Sequence, residues 1–220
     1  AKGDPLMNVN IVLYDEFETL DALGIANIFG MAPEHFYINY LSVNGGLVSS
    51  KQGVKVWTEL LIPEEVEDIL VLPGGRTATK LLCLEPKKLE TIKAAAQEAD
   101  ICMMIANASS ILAQTGLLYH RKIADYPGDQ NWKRMFTAEI RRAEGVNWIS
   151  DGKFYSCSST MAGFDMALGV ISDMVDIELA VRIAEMLGYE SGDAFLRKHE
   201  KVYEIVEDFI HLFYIFSLED

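Results

Sequence analysis

The stretch Ile101–Leu118 (ICMMIANASSILAQTGLL) decides the fold. Five apolar residues run into a break at Ala106, Asn107 and Ala108, and a helix-like run of small and apolar residues follows, with Gly116 as its expected C-cap. A buried strand that turns sharply into a helix is typical of α/β enzymes that hold a nucleophile at the turn. Here the turn holds Ala106, whose methyl group has no chemistry.

Strands and helices alternate on both sides of this stretch. Apolar and β-branched runs between turn residues predict strands, and apolar residues at helical spacing predict helices. The predicted strands are Val9–Tyr14, Phe36–Val43, Gly53–Trp57, Ile69–Leu72, Ile101–Ile105 and a hairpin or strand pair over Trp148–Cys157 with Asp151-Gly152 in its middle. Helix is predicted after the first strand, around residues 78–96 and over Ser159–Leu187. This alternation predicts an α/β fold whose mostly parallel sheet has helices on both faces.

Composition restricts the classes of partner. The 220 residues carry a formal charge of −14, which repels phosphate backbones and argues against nucleic acid. The three cysteines are far apart, without a Cys-x-x-Cys or Cys/His cluster, so neither a disulfide framework nor a metal site is expected. Free thiols of this kind suit the reducing cytoplasm. No organic cofactor is implied.

The two ends of the chain differ from the middle. Residues 1–6 have no apolar core of a signal peptide and are interpreted as a cloning remnant. Apolar residues recur at helical spacing over Phe195–Phe216, which predicts a long amphipathic helix. Its most apolar part, Phe209–Phe216, is too short to span a membrane. We therefore expect one domain over residues 7–188 and a helical extension over residues 189–220.

Four motifs together resemble the DJ-1/ThiJ/PfpI superfamily, and within it the isocyanide hydratase-like branch. They occur in the family's order: YDEFETLDALGIANIF (Tyr14–Phe29), ILVLPGG (Ile69–Gly75), IANASSILAQTGLL (Ile105–Leu118) and TMAGFDMALGVI (Thr160–Ile171). The resemblance covers about residues 9–189. It implies a flavodoxin-like three-layer sandwich, a homodimer and a small-molecule substrate or ligand.

The resemblance also implies a set of site residues. The family's cysteine nucleophile falls at Ala106 and the acid of the first helix at Asp21, while the backbone amides of Gly75 and Asn107 would stabilise an oxyanion. Four further residues are expected to line the pocket: Gly74, Tyr126, Cys157 and Ser158. The alternatives from the residues alone stay open, because Asp21 can be a helix cap, the two glycines a plain turn, and Cys157 a packing residue.

Two functions follow from Ala106. In the first, Ala106 replaces a native cysteine of a cysteine-dependent hydratase or hydrolase, which is inactive as written. In the second, the alanine is natural and the protein is a non-catalytic small-ligand-binding or regulatory member of the family. A protease-type Cys/His pair is unsupported, since Asn107 stands where one branch has histidine.

Overall fold

The computed structural model describes residues 5–128 and 140–203. The strands are β1 (Met7–Val12), β2 (Phe36–Ser42), β3 (Gly46–Ser49), β4 (Lys55–Leu60), β5 (Ile69–Leu72), β6 (Ile101–Met104), β7 (Lys122–Ala124), β8 (Arg141–Ala143), β9 (Trp148–Asp151), β10 (Phe154–Cys157) and β11 (His199–Val202). The helices are α1 (Thr19–Gly30), α2 (Arg76–Cys83), α3 (Pro86–Glu98), α4 (Ser109–Ala113), α5 (Thr160–Met174) and α6 (Ile177–Met186).

Within these ranges, nine strands form one sheet in the order β11-β9-β10-β6-β5-β1-β2-β4-β3. The pairs are parallel except β9 with β10 and β3 with β4. Strands β5, β6 and β10 are buried along their whole length, as expected when helices cover both faces of a parallel sheet. The predicted α/β architecture is therefore confirmed.

The register of the central strands fixes where the site forms. Leu72 of β5 lies opposite Met104 of β6, and Met104 lies opposite Ser156 of β10. The three parallel strands thus end at the same level. The residues that follow them are brought together at the carboxyl edge of the sheet, where open α/β folds bind their ligands.

The helical region predicted over Ser159–Leu187 consists of two helices. At Val175 the backbone leaves helical geometry, with φ −117° and ψ −86°. The Asp176 carboxylate then accepts the N–H of Leu179 at 2.7 Å and caps α6. A single aspartate at an N-cap thus divides a region that is apolar enough to read as one helix.

The amphipathic helix expected from Phe195 is wrong over the described residues. A 3-10 turn at Ala194–Leu196 leads into β11, which pairs in parallel with β9. Phe195 is buried, and its carbonyl accepts the indole N–H of Trp148 at 2.7 Å. Backbone pairing with a strand some 50 residues earlier thus outweighs the local helical pattern. The rest of that prediction, residues 204–220, lies outside the described residues.

Searched over residues 5–128 and 140–203, the chain has no helix both long and apolar enough to cross a membrane. The same two segments contain no group of three His, Cys, Asp or Glu side chains able to hold a metal ion.

Candidate functional site

The break after β6 is a strained strand-to-helix turn. Ala106 has a φ of 51°, in the left-handed region that residues with a Cβ rarely adopt. A 3-10 turn over Ala106–Ala108 then leads directly into α4. Holding alanine in this conformation costs about 1 kcal/mol or more, so neighbouring contacts must hold it there. The backbone has the geometry of a nucleophile elbow, the name we use below for Ile105–Ala108.

Asp21 points inward from the first turn of α1. Its side chain is 1% exposed, so it is not a solvent-facing cap. One carboxylate oxygen, Oδ2, accepts the Gly74 N–H at 3.0 Å, and the other, Oδ1, accepts the Thr160 hydroxyl at 2.7 Å. These bonds connect three elements of the chain: α1, the loop after β5 and the start of α5.

Burial gives this carboxyl group an unusual acidity. Desolvation raises the pKa of Asp21 to about 6, and the charge of Glu18 acts in the same direction, while the bonds from Thr160 and Gly74 lower it. A group with a pKa near 6 can take up and release a proton close to neutral pH. Asp21 therefore has the acidity required of a proton carrier.

The two glycines after β5 are required by space and by backbone conformation. A Cβ on Gly74 would lie 2.7 Å from Asn107 Oδ1 and 2.8 Å from both Asp21 Oδ2 and the carbonyl oxygen of Ile105. Gly75 has a φ of 140°, a backbone conformation that residues with a Cβ rarely adopt. The glycine pair is thus what allows the β5 loop to touch both Asp21 and the elbow.

The Gly75 amide, expected to stabilise an oxyanion, already has a partner. Its N–H donates to Asn107 Oδ1 at 2.9 Å. The Asn107 amide nitrogen in turn donates to the Thr79 hydroxyl at 3.3 Å. Both Asn107 and Thr79 are 2% exposed. The side chain of Asn107, rather than its backbone alone, therefore takes part in this site.

Cys157 lies beside the elbow at the end of β10. Its sulfur accepts the Ala106 N–H at 3.4 Å, and its thiol is within 3.4 Å of the Ser159 carbonyl oxygen. Burial raises the pKa of Cys157 to about 12, so the group stays a thiol at neutral pH. It supports the strained backbone without being a nucleophile itself.

The remaining predicted pocket residues have other contacts. The Ser158 N–H donates to the Asn147 carbonyl at 2.9 Å, and the ring of Tyr126 lies against Gly128. Thr160 and Thr79 were missed in the sequence. A threonine at the start of a helix gives no local signal for such a role, because Ser159 beside it is the actual N-cap, accepting the Ala162 N–H.

The fold and site define an α/β protein with a nucleophile elbow next to a buried carboxyl group. Residues 7–173 match the DJ-1/PfpI family, and the chain belongs to it. A deglycase from Pyrococcus abyssi is 31% identical over 147 residues, which cover 65% of this chain and 81% of that protein. A deglycase from Pyrococcus horikoshii is 30% identical over 151 residues, covering 66% and 89% respectively.

Solved structures show the same fold. Drosophila melanogaster DJ-1beta superposes with a TM-score of 0.72 at 16% identity, covering 83% of this chain and 98% of that one. A cysteine-to-alanine mutant of a DJ-1 superfamily protein from Salmonella typhimurium superposes with a TM-score of 0.72 at 20% identity, covering 84% and 99%. At such identities the likeness concerns the fold alone.

Proposed function

We propose that this chain has the site of a cysteine-dependent hydratase or hydrolase acting on a small electrophile, with Ala106 at the nucleophile position. The observation that carries the proposal is the strained φ of 51° at Ala106 beside a buried aspartate with a pKa of about 6. Strain of this kind is stored where a side chain must be presented to a reactant. Because the methyl group of Ala106 is not a nucleophile, the chain with alanine at this position cannot form a covalent intermediate with such a substrate.

Isocyanide hydration is the reaction that we propose for the form with cysteine at position 106. The thiolate adds to the isocyanide carbon, and the electron pair left on that carbon takes the proton held by Asp21. Water then adds across the resulting carbon–nitrogen double bond, with its oxygen going to the carbon and one proton to the nitrogen. The thiolate leaves, the other proton of water goes to Asp21, and an N-formyl amine is released. Asp21 recovers its proton over the cycle, so the sum is isocyanide plus water giving formamide.

The test is to restore the nucleophile. We expect Ala106→Cys to hydrate an alkyl isocyanide measurably above the alanine form, since the elbow and the acid are in place. A glycated amine, a glyoxal and a nitrophenyl ester should be assayed beside it, because the Pyrococcus relatives are named deglycases. Adding Asp21→Asn should remove most of any gain. If no substrate is turned over faster than by the alanine form, the proposal is wrong.

A second candidate is a non-catalytic ligand-binding or regulatory protein. It is favoured because the polar groups of the site already have hydrogen-bond partners within the protein. Both Asp21 oxygens accept hydrogen bonds, Asn107 engages the Gly75 amide, and Ala106 is only 6% exposed. This candidate requires that the natural gene encode alanine at position 106. Sequencing that codon in the source organism distinguishes the two functions.

The proposed assembly is a homodimer. A cavity of about 460 Å³ lies between α1, α5 and the residues after α6, and its apolar rim includes Leu20 and Met161, which are 54% and 70% exposed. These two residues adjoin Asp21 and Thr160, so a second copy covering them would also cover this side of the site. Leu20→Glu should then lower the mass measured by light scattering.

The free thiols support a cytoplasmic location.

A further inference from the structure

The Asn107 side chain joins two parts of the site. Its Oδ1 accepts the Gly75 N–H at 2.9 Å, and its amide nitrogen donates to the Thr79 hydroxyl at 3.3 Å. The Thr79 N–H donates back to the Gly75 carbonyl at 2.9 Å. Both polar groups of the Gly75 backbone are therefore engaged, the N–H by Asn107 and the carbonyl by α2.

The carboxamide of Asn107 fills space that is open only because residue 74 is a glycine. Its oxygen lies 2.7 Å from the point where Gly74 would carry a Cβ, and Asp21 Oδ2 lies 2.8 Å from the same point. Asn107 is 2% exposed, so water does not replace it as a partner of the amide. Leaving a buried N–H without an acceptor is unfavourable, which keeps the bond formed.

We propose that the Asn107 side chain determines the substrate class of this site by withholding the Gly75 amide from substrate; the inference rests on the proposed function. Attack on an ester or amide places negative charge on oxygen, which needs free N–H donors. Attack on an isocyanide leaves an electron pair on carbon, which takes the Asp21 proton. With the Gly75 N–H occupied, the site favours the second kind of electrophile over acyl transfer.

The first experiment compares two reactions in the same protein. Ala106→Cys and the double variant Ala106→Cys/Asn107→Ala are assayed with an alkyl isocyanide and with a nitrophenyl ester. One oxyanion donor is worth about 100-fold or more in rate, so the ester-to-isocyanide ratio of kcat/KM should rise about 100-fold in the double variant. The double variant Ala106→Cys/Asn107→Asp, which keeps an acceptor at position 107, should not raise the ratio. An equal ratio in all three proteins overturns the inference.

The second experiment needs no turnover. In the chain with Ala106, the Gly75 amide proton is followed by NMR in the parent, Asn107→Ala and Asn107→Asp. We expect the signal to move upfield in the alanine variant only, because only there is the acceptor lost. An unmoved signal overturns the inference even if Ala106→Cys is active. If Ala106→Cys is inactive while the signal moves, the hydrogen bond between the Gly75 N–H and Asn107 is confirmed. The proposed function is then wrong, and so is the role of Asn107 in determining the substrate class.

Discussion

Two strand-to-helix junctions lie side by side in this protein and differ in almost every respect. The first, from β6 into α4, has a strained backbone at Ala106 and no reactive side chain. The second, from β10 into α5, is ordinary: Ser159 is extended, with φ −165° and ψ 171°, and caps the helix. Yet the second junction contributes Cys157, which bonds the Ala106 N–H, and Thr160, which bonds Asp21.

The comparison shows that one junction can supply the strained backbone of the site while the neighbouring junction supplies polar side chains that contact it. Because β6 and β10 pair in parallel and end at the same level, a side chain of one junction reaches the backbone of the other. An alanine at the elbow is therefore compatible with an intact polar network around it. Asp21 accepts hydrogen bonds from Thr160 of the second junction and from Gly74 of the β5 loop. Its replacement is therefore the most direct test of the polar network.

The largest effect is expected at Asp21. Its folded-state pKa of about 6 is above the usual 3.8, so ionisation destabilises the fold. The loss of unfolding free energy on ionisation is small below about pH 3.8, develops between about pH 4 and pH 6, and is nearly complete above pH 6. Relative to Asp21→Asn, the parent should lose roughly 2 to 3 kcal/mol of unfolding free energy between pH 4 and pH 8. Urea unfolding at both pH values measures this, and parallel pH profiles would contradict it.

A smaller effect is expected at the second junction. Thr160→Val removes the hydroxyl that donates to Asp21 Oδ1, so the pKa of Asp21 should rise further. Because a hydrogen bond to a charged group is lost, the stability at pH 8 should fall by about 1.5 kcal/mol. Thr160→Ser keeps the hydroxyl and is the matched control. Equal stability of the valine and serine variants would show that the contact with Asp21 is unimportant.

The smallest effect is expected at the first junction, and its sign is diagnostic. Ala106→Gly relieves a positive φ and should stabilise the chain by about 1 kcal/mol. The same change at Ala108, which has a φ of −62°, should destabilise it by about 1 kcal/mol. Thermal unfolding of both variants makes the comparison. Destabilisation at both positions would mean that the elbow is not strained.

The sequence predicted what depends on local pattern. The apolar runs placed β5 and β6, the break at Ala106 placed the elbow, and the Asp151-Gly152 turn placed the β9–β10 hairpin. Asp21 was identified because the motif Tyr14–Phe29 resembles the family's first loop and helix, which carry the family's acid. These features need only a few neighbouring residues to be recognised.

What the sequence did not predict depends on distant partners. The Thr160 contact with Asp21 joins residues 139 positions apart, and the Asn107 contact with Gly75 joins residues 32 apart. The strand at His199–Val202 pairs with the edge of β9, although its own pattern is compatible with a helix. No local spacing rule contains this information.

The strand β11 also has a practical consequence. The family match ends at residue 173, but Trp148 stacks on His199 with ring centroids 5.0 Å apart and bonds the carbonyl of Phe195. A fragment trimmed to the matching segment would uncover this indole and leave β9 as a bare edge, a template for intermolecular pairing. Expression of the domain should therefore extend through residue 203, since shorter versions invite aggregation.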